Sequence, residues 1–377
     1  MRMSGNLLLY MKRKYLLFAF ACLLFFSCSH SVDSGKIYTL DNYDSISVNI
    51  DYPFLNSYTK LSACKFHGAP FAGGYNHLTH SFDFISLSDS DNFSISLDKE
   101  GADGVLPTSS FCFTPSCIVL EDESGIIVVS YEGKVINRIP YSSLDTEKYS
   151  MKPTGVSMGG LTNLSVAGSE VTVPLFPINV SSDNISNYSI GMKYNIPENK
   201  LSSIPVNYPS RLVSQIEGFQ GLAFPGISAY SDRILYNFPC SSHIYVYDRQ
   251  SGVTDSINMT SLEISAELPP LDAKSRKNPR KKFEFEGLSP RYCEPHYDST
   301  SGKYFRIHYG PKSDMFDKNR SIGLIVLDSD RSALREYRFP DNFSEQYFVM
   351  DGMIYIQYKN PSDDTSIRFA KVRIKDL

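Results

Sequence analysis

The sequence predicts an all-β fold, most simply a six-bladed β-propeller. After residue 35 the chain has no long stretch with apolar residues at helical spacing, and period-two or short continuous apolar runs dominate instead. These runs form hairpins separated by polar turns, and two successive hairpins make the four-stranded antiparallel sheet of a propeller blade. Six such units can be counted along the chain, with five or seven as the neighbouring possibilities.

The strand pattern supports each unit in turn. The clearest strands are rich in β-branched and aromatic residues and lie at 82–87, 126–130, 190–194, 243–247, 324–327 and 367–372. A polar turn and a second strand follow most of them, and further strand pairs cover 226–238 and 291–309. The blades are therefore expected at 75–97, 111–139, 161–206, 227–257, 292–339 and 347–374.

The two ends of the chain are expected to close the ring. The last unit looks short, whereas residues 36–40 and 45–50 at the N-terminal end form a predicted hairpin that no blade uses. Pairing these first strands with the last blade would avoid two exposed sheet edges. Residues 36–377 would then be one propeller domain. The alternative is a pair of stacked β-sandwich domains, which would also show short strands and turns.

The N-terminal segment has the pattern of a signal peptide over residues 1–27. Three basic residues, Lys12, Arg13 and Lys14, precede the apolar run 15–26, in which Cys22 is the single weakly polar position. This run is shorter than the roughly 20 residues that a membrane-spanning helix needs. Met11 is a better start than Met1 because it lies directly before the basic residues.

The end of this segment, Leu24-Phe25-Phe26-Ser27-Cys28, resembles the lipobox of bacterial lipoproteins. Phe25 and Phe26 stand where Leu and a smaller residue are usual. The resemblance implies acylation of Cys28, a lipidated tether at 28–35 and an outer-membrane address facing the periplasm or the cell surface. The alternative is an ordinary secretory signal that leaves Cys28 as a free thiol.

The charge balance argues against nucleic-acid binding. The net charge is −4, and removal of residues 1–27 would leave 33 basic and 41 acidic residues, a balance of −8. One segment is an exception, with a dense basic run of Lys274, Arg276, Lys277, Arg280, Lys281 and Lys282 interrupted by Pro279. We interpret it as a solvated loop, and the alternative is a contact site for an acidic polymer or lipid headgroups.

Five cysteines remain after Cys22 and Cys28 are set aside, namely Cys64, Cys112, Cys117, Cys240 and Cys293. A disulfide is possible outside the cytoplasm, and Cys112 with Cys117 is the pair closest in sequence. Two half-buried strand cysteines would explain the same spacing. No two Cys-x-x-Cys pairs exist, so nothing supports a structural zinc site.

No catalytic motif is evident, and no catalytic residue or cofactor is predicted. The chain has no Gly-x-Ser-x-Gly elbow, and its histidines have no companion motif. His77 and His80 lie where a turn enters a strand, which would place them on opposite faces. The stretch 155–160 lacks the Lys-Ser/Thr of a phosphate-binding loop.

Calcium is the metal for which the sequence offers the most ligands. Asp89, Asp91 and Asn92, or Asp298 and Asp328, place hard oxygen atoms in turns. Backbone capping is the better explanation of these turn residues. The pairs Asp103-Gly104, Glu217-Gly218 and Glu286-Gly287 are likewise predicted to be turns.

Several segments resemble a known group of propellers. Tyr75-Asn76 leading into the strand at 80–87, followed by Ile95-Ser96-Leu97-Asp98-Lys99-Glu100-Gly101-Ala102-Asp103-Gly104-Val105, resembles an early blade of the TolB-like six-bladed lipoproteins of Gram-negative bacteria. The strand at 244–248 and the hairpin at 295–306 are similar to later blades. With the lipobox and the length, these segments resemble the domain-of-unknown-function 4221 family. The resemblance implies a propeller fold and an envelope address, and the family has no established reaction.

Two functions follow as hypotheses. The first is a lipid-anchored binding or scaffold protein of the cell envelope, whose partner is an envelope protein or a glycan that contacts loops gathered around the channel. The second is a calcium-dependent propeller hydrolase of the lactonase kind, which would hold a central metal with Glu, Asp and Asn side chains.

Overall fold

Six antiparallel sheets surround one axis as the blades of a six-bladed β-propeller, which confirms the predicted fold class. The computed structural model describes residues 35–88, 91–108, 110–122, 125–140, 151–153, 163–177, 182–213, 215–264, 267–315, 320–359 and 365–377. The predicted signal peptide, Cys28 and most of the predicted tether lie outside these residues.

Each blade is built mainly from consecutive strands. The chain begins with β1 (Ile37–Thr39) and β2 (Asp44–Asn49). Blade 1 contains β3 (Leu61–Phe66), β4 (Ala69–Asn76), β5 (Ser81–Ser86) and β6 (Phe93–Ser96), and blade 2 contains β7 (Ser110–Phe113), β8 (Ile118–Glu121), β9 (Gly125–Val129) and β10 (Val135–Pro140). Blade 3 contains β11 (Met151–Pro153), β12 (Ser165–Ala167), β13 (Glu170–Pro177), β14 (Gly191–Asn195) and β15 (Lys200–Ser203).

The remaining blades follow in chain order. Blade 4 contains β16 (Gly226–Ala229), β17 (Arg233–Asn237), β18 (His243–Asp248) and β19 (Thr254–Asn258). Blade 5 contains β20 (Arg291–Tyr292), β21 (His296–Asp298), β22 (Lys303–Tyr309), β23 (Ile322–Asp328) and β24 (Leu334–Arg338). Blade 6 contains β25 (Phe343–Met350), β26 (Met353–Tyr358) and β27 (Ser366–Arg373).

The N-terminal strand β2 closes the ring. It pairs antiparallel with β27, from Asp44 opposite Lys371 to Asn49 opposite Ser366, and supplies the fourth strand of blade 6. The predicted hairpin of 36–40 with 45–50 is wrong, because β1 pairs in parallel with β24 of blade 5 instead. Each N-terminal strand thus covers the outer edge of a different blade, which satisfies backbone groups that a hairpin would leave exposed.

The first blade begins at Leu61, earlier than the predicted residue 75. The glycines Gly73 and Gly74 weaken the strand pattern of β4, and packing explains why they are there. A Cβ atom on Gly74 would lie 2.5 Å from the Tyr58 ring, and one on Gly73 would meet the ring of Phe113. Aromatic side chains therefore pack directly on this backbone.

The core is a ring of blade interfaces. Separate clusters of buried apolar side chains join blades 1 and 2, blades 2 and 3, blades 3 to 5, blades 5 and 6, and blades 6 and 1. Each blade therefore buries both faces against its neighbours, which fits the apolar character of its central strands. This packing leaves the inner strand edges to face the axis.

Helices occupy the longer connections between blades. In the described residues they are α1 (Ser210–Val213), α2 (Ile216–Phe219) and α3 (Pro279–Leu288), with 3₁₀ turns at Ser182–Asn187, Gln220–Ala223, Ser275–Lys277 and Ile374–Asp376. The predicted turns at Glu217 and Glu286 are wrong, since both residues lie in helices. No helix among the described residues has the length and apolar character needed to cross a membrane.

The basic run does not form the expected loop, because its second half is α3. Asn278 Oδ1 accepts hydrogen bonds from the backbone N–H groups of Arg280 and Lys281, at 3.0 and 3.3 Å. Pro279 occupies the first turn, where its missing N–H group has no cost. The residue that interrupts the charge pattern therefore starts the helix.

Candidate functional site: the axial channel

The innermost strands of all six blades line a cavity on the axis of the ring. Its volume is about 550 Å³. The lining comes from β3, β7, β12, β16, β21 and β25 and from the turns that follow several of them. A channel of this kind follows from the arrangement of the blades, since side chains distant in sequence meet where the inner strands converge.

Lys60, directly before β3, is the one lysine or arginine among the described residues that line this cavity. Its Nζ donates a 2.8 Å hydrogen bond to the carbonyl oxygen of Phe111 and lies 4.9 Å from the centroid of the Phe111 ring. Burial lowers the pKa of Lys60 to about 8, although the negative charges of Glu294 and Glu121 oppose that shift. An ammonium has three N–H donors, so two are not used by Phe111.

Glu294 and Asn163 extend this polar layer across the channel. Asn163 Nδ2 donates a 2.6 Å hydrogen bond to Glu294 Oε1. The other polar atom of that amide, Asn163 Oδ1, is buried without a hydrogen-bond partner among the described residues. A buried acceptor without a partner is costly, and a ligand donor would satisfy it.

His296, on β21, completes the layer. Its Nε2 lies 3.9 Å from Glu294 Oε1, too far for a hydrogen bond, and its Nδ1 lies 3.4 Å from Ser228 Oγ. Burial lowers the pKa of His296, and the charge of Glu294 offsets only part of this shift. The imidazole is therefore neutral at pH 7, and its Nε2 has no hydrogen-bond partner.

A smaller cavity of about 100 Å³ lies on the other side of the same layer. Both cavities are lined by Lys60, Leu61, Asn163, Glu294 and Tyr347. The name polar layer is used below for Lys60, Asn163, Glu294 and His296. Lys60, Asn163 and Glu294 lie between the two cavities, and His296 lines the large one beside them.

The carboxylates near the wide end of the channel already have partners. Asp298 accepts hydrogen bonds from the backbone N–H groups of Thr300 and Ser301 and from the Ser301 hydroxyl, at 3.1, 3.1 and 2.5 Å. Asp351 forms a 2.8 Å ion pair with Lys65. These contacts satisfy the Asp298 carboxylate by hydrogen bonds and the Asp351 carboxylate by an ion pair.

Of the predicted calcium ligands, Asp298 and Asn92 accept backbone hydrogen bonds in turns, as the preferred interpretation expects. Asp298 caps its own turn, and Asn92 Oδ1 accepts a 2.9 Å hydrogen bond from Ser86 N. Asp328 lies 4.0 Å from Arg335, and Asp89 is outside the described residues. Among the described side chains, no group of three or more His, Cys, Asp or Glu residues could hold a metal ion. The lactonase-like alternative therefore has no metal site in this part of the chain.

The two histidines at 77 and 80 do not come together. His80 is buried, with Nδ1 2.5 Å from the Tyr75 hydroxyl oxygen, whereas His77 is exposed in the preceding turn. The predicted absence of a phosphate loop falls on 155–160, outside the described residues.

The five cysteines considered above are buried free thiols. Cys112 and Cys117 do not form a disulfide. Cys112 lies in β7 and Cys117 lies directly before β8, and both are buried. Cys117 Sγ instead lies 3.2 Å from the Thr114 hydroxyl oxygen. Burial raises the pKa of Cys112 to about 12 despite the positive charge of Lys60. This thiol is therefore protonated beside the channel.

Sequence reasoning missed the whole polar layer. Lys60, Asn163 and Glu294 lie just before the inner strands β3, β12 and β21, and none of them belongs to a local motif. His296 lies in the hairpin used for the family resemblance, but its position there indicated a strand rather than a site. The signal that could have indicated the polar layer was the presence of isolated polar residues at the starts of inner strands.

The comparisons with known proteins agree with this architecture. The model of the family described as domain of unknown function DUF4221 matches residues 40–338. The chain belongs to the DUF4221 family. No curated protein matches this DUF4221 chain significantly.

Two solved structures with TM-scores above 0.5 share this fold, and a third is similar at a lower score. A DUF4221 family member from Bacteroides vulgatus ATCC 8482 is 17% identical, with a TM-score of 0.69 over 87% of this chain and 95% of that chain. A candidate exported protein from Bacteroides fragilis NCTC 9343 is 10% identical, with a TM-score of 0.52 over 88% of this chain and 95% of that one. A candidate TolB from Agrobacterium tumefaciens is 10% identical, with a TM-score of 0.41 over 88% and 99% of the two chains.

Proposed function

We propose that this DUF4221 protein is a lipid-anchored envelope protein that binds an uncharged glycan in its axial channel. The observation that carries the proposal is the polar layer, whose hydrogen-bonding capacity is only partly used within the protein. Lys60 has donors beyond its bond to Phe111, and within the part of the chain that the structure describes Asn163 Oδ1 and His296 Nε2 have no hydrogen-bond partner. Hydroxyl groups of a sugar both donate and accept, so one ligand would suit all three positions.

The cavity supports a glycan over an ion. Its volume of about 550 Å³ falls within the range of roughly 300–1,000 Å³ that is typical of small-molecule sites. Hydrogen bonds of its own turn hold the Asp298 carboxylate, Asp351 is ion-paired with Lys65, and Glu294 lies close enough to Lys60 to raise its pKa. Hydroxyl side chains also line the wall, namely Ser62, Ser165, Ser228, Ser299 and Thr300.

An envelope protein is the other partner class that the sequence suggests. A protein would contact the turns at the rim of the ring, whereas the unused polar atoms lie in the polar layer inside the channel. The channel is better suited to a narrow ligand, such as the end of a sugar chain. We therefore favour the glycan.

The first experiment tests binding in the channel. All strands of the six blades lie between Ile37 and Arg373, so a chain of residues 35–377 contains the complete ring. This chain is screened on a glycan array, and hits are measured by calorimetry. We expect Lys60→Met and Glu294→Gln each to weaken binding by about tenfold, because each removes a polar contact in a desolvated site.

Matched controls are Lys99→Met and Glu198→Gln, which change exposed residues outside the channel. Both should leave the affinity unchanged. Binding that survives the two channel substitutions would place the ligand elsewhere, and a failure of every glycan to bind would refute the glycan assignment.

The affinity should also depend on pH through Lys60. Its pKa is lowered by burial to about 8, so the charged donor is present below pH 8 and is lost above it. We expect glycan affinity to fall as the pH rises through 8, and the Lys60→Met chain to lose this dependence. An identical pH profile for both chains would exclude Lys60 as a ligand contact.

The anchor rests on the lipobox at Cys28. A structural neighbour named as a candidate exported protein supports an address outside the cytoplasm. The experiment is incorporation of labelled palmitate by cells that express the full chain, followed by membrane fractionation. We expect label in the outer-membrane fraction and none in the Cys28→Ala chain. Label retained in Cys28→Ala, or absent from the native chain, would refute the anchor.

A further inference from the structure

The geometry points to α3 and the turn before it as a surface that docks on anionic phospholipid headgroups. We call this surface the basic patch and define it by Lys274, Lys277, Lys281, Lys282 and Phe283. The patch is separate from the axial channel, since none of its residues lines either cavity described above.

The charge of this segment is opposite to that of the chain. Between residues 272 and 288 lie six basic and three acidic side chains, whereas the whole chain has a net charge of −4. The two arginines are already paired, Arg276 with Glu217 at 2.7 Å and Arg280 with Glu284 at 2.8 Å. The four lysines of the patch form no ion pair with a described carboxylate. Their charge is therefore available to an external anion.

Phe283 gives the patch an apolar element. Its side chain is 64% exposed, although it lies in the middle of a ten-residue helix. An exposed aromatic ring among lysines suits an anionic membrane surface, because the ring can enter the headgroup region while the lysines contact phosphates. A soluble acidic partner would explain the lysines but would not require the ring.

The C-terminal half of α3 is fixed to the propeller, so its N-terminal half is presented outward. Glu286 Oε1 accepts a 2.8 Å hydrogen bond from Gly221 N, and Leu288 O accepts a 3.0 Å hydrogen bond from Lys312 N. Phe285 packs partly against the cluster of blades 3 to 5. Because these contacts fix the helix, Phe283 is held outward before any partner binds.

The patch and the start of the described chain belong to the same sector of the ring. Ile37 of β1 lies opposite Glu336 of β24. The Glu336 carboxylate accepts 2.6 Å hydrogen bonds from Ser261 Oγ and Leu262 N, in the connection between blades 4 and 5 that also contains α3. The docking proposal rests on the proposed lipid anchor, because a lipidated tether would hold the propeller close to a bilayer.

The test is co-sedimentation of the chain of residues 35–377 with phosphatidylcholine vesicles that contain or lack phosphatidylglycerol. This chain lacks Cys28, so the result does not depend on acylation. We expect binding only to the phosphatidylglycerol vesicles, weakening as salt is added. The double substitution Lys281→Glu with Lys282→Glu should reduce the affinity by about tenfold or more, since each lysine near an anionic surface contributes about 1 kcal/mol.

A matched control reverses two exposed lysines outside the patch, Lys99→Glu with Lys200→Glu, and should change the affinity far less. Phe283→Ser should weaken binding while leaving the salt dependence in place. Equal binding to both vesicle types, or equal losses in patch and control chains, would overturn the proposal. So would patch-dependent binding to polyglutamate without binding to vesicles, which would identify an acidic polymer. The palmitate experiment reports separately on the anchor.

Discussion

The interface of blade 1 with blade 2 buries aromatic rings, whereas the interface of blade 4 with blade 5 buries a charged side chain and its hydrogen bonds. Between blades 1 and 2, the Phe82 ring lies with its centroid 5.0 Å from that of Phe111 and 5.7 Å from that of Phe113. Between blades 4 and 5, the guanidinium of Arg306 is fully buried, donates to the carbonyl oxygens of Ser242 and Met259, and lies 4.0 Å from the Tyr292 ring centroid.

The difference shows two ways to hold neighbouring blades together. The aromatic interface depends on shape and burial, which do not change with pH. The polar interface depends on a partner for each buried group. Glu336 illustrates this, because burial alone would raise its pKa, yet hydrogen bonds from His308, Leu262 N and Ser261 together lower it.

The largest expected effect is on the aromatic side. Phe82→Ala should lower the free energy of unfolding by about 4 kcal/mol, because a fully buried ring is replaced by a cavity among other rings. The measurement is denaturant unfolding. Phe283→Ala, at an exposed ring, is the control and should change stability little. If Phe82→Ala lowered the free energy of unfolding by less than Arg306→Met does, the ranking of the two interfaces would be reversed.

The polar interface should lose less from one substitution. Arg306→Met should lower the free energy of unfolding by about 2 kcal/mol, since it removes the Arg306 donor from Met259 O and one of the two donors of Ser242 O, but also removes a buried charge. The same unfolding measurement applies. Arg338→Met, at a half-exposed arginine paired with Glu263, is the control and should cost less than about 1 kcal/mol. A stabilised Arg306→Met chain would show that the buried charge dominates.

Only the polar interface should respond to mild acid. Burial, together with the charges of Arg211 and Arg306, lowers the pKa of His243 from 6.5 to about 4. The unfolded chain therefore takes up a proton that the folded chain does not, and stability falls as the pH drops from 6.5 towards 4. We expect His243→Gln to reduce this dependence in unfolding measurements across that range. His77→Gln, at an exposed histidine, should preserve it, and equal slopes in the two variants would contradict the assignment.

The smallest effect concerns stacked rings, which occur in both regions. Phe84 and Phe93 of blade 1 stack at 4.6 Å, and Tyr236 and Tyr245 of blade 4 stack at 4.8 Å. Double-mutant cycles should give each pair a coupling of about 1 kcal/mol, because the stacking geometry is alike. Unequal couplings would show that the surrounding interface, rather than the pair itself, controls the energy.

Local patterns predicted most of the strands, and particular residues explain the exceptions. The strand expected at 82–87 is β5, and the one at 190–194 is β14, because alternation and turns are properties of neighbouring residues. The early part of blade 1 was missed because Gly73 and Gly74 have no side chain to show a pattern. Helix α3 was missed because none of its residues is buried, so its apolar residues form no stripe.

The amino-acid sequence by itself determined the all-β character, the six blades and the need for the chain ends to close the ring, since these follow from period-two patterns and unpaired edges. Only the tertiary structure decided that β1 and β2 go to different blades, and that Lys60, Asn163, Glu294 and His296 meet on the axis. Such contacts join residues far apart in the chain, and only the closing of the ring brings them together.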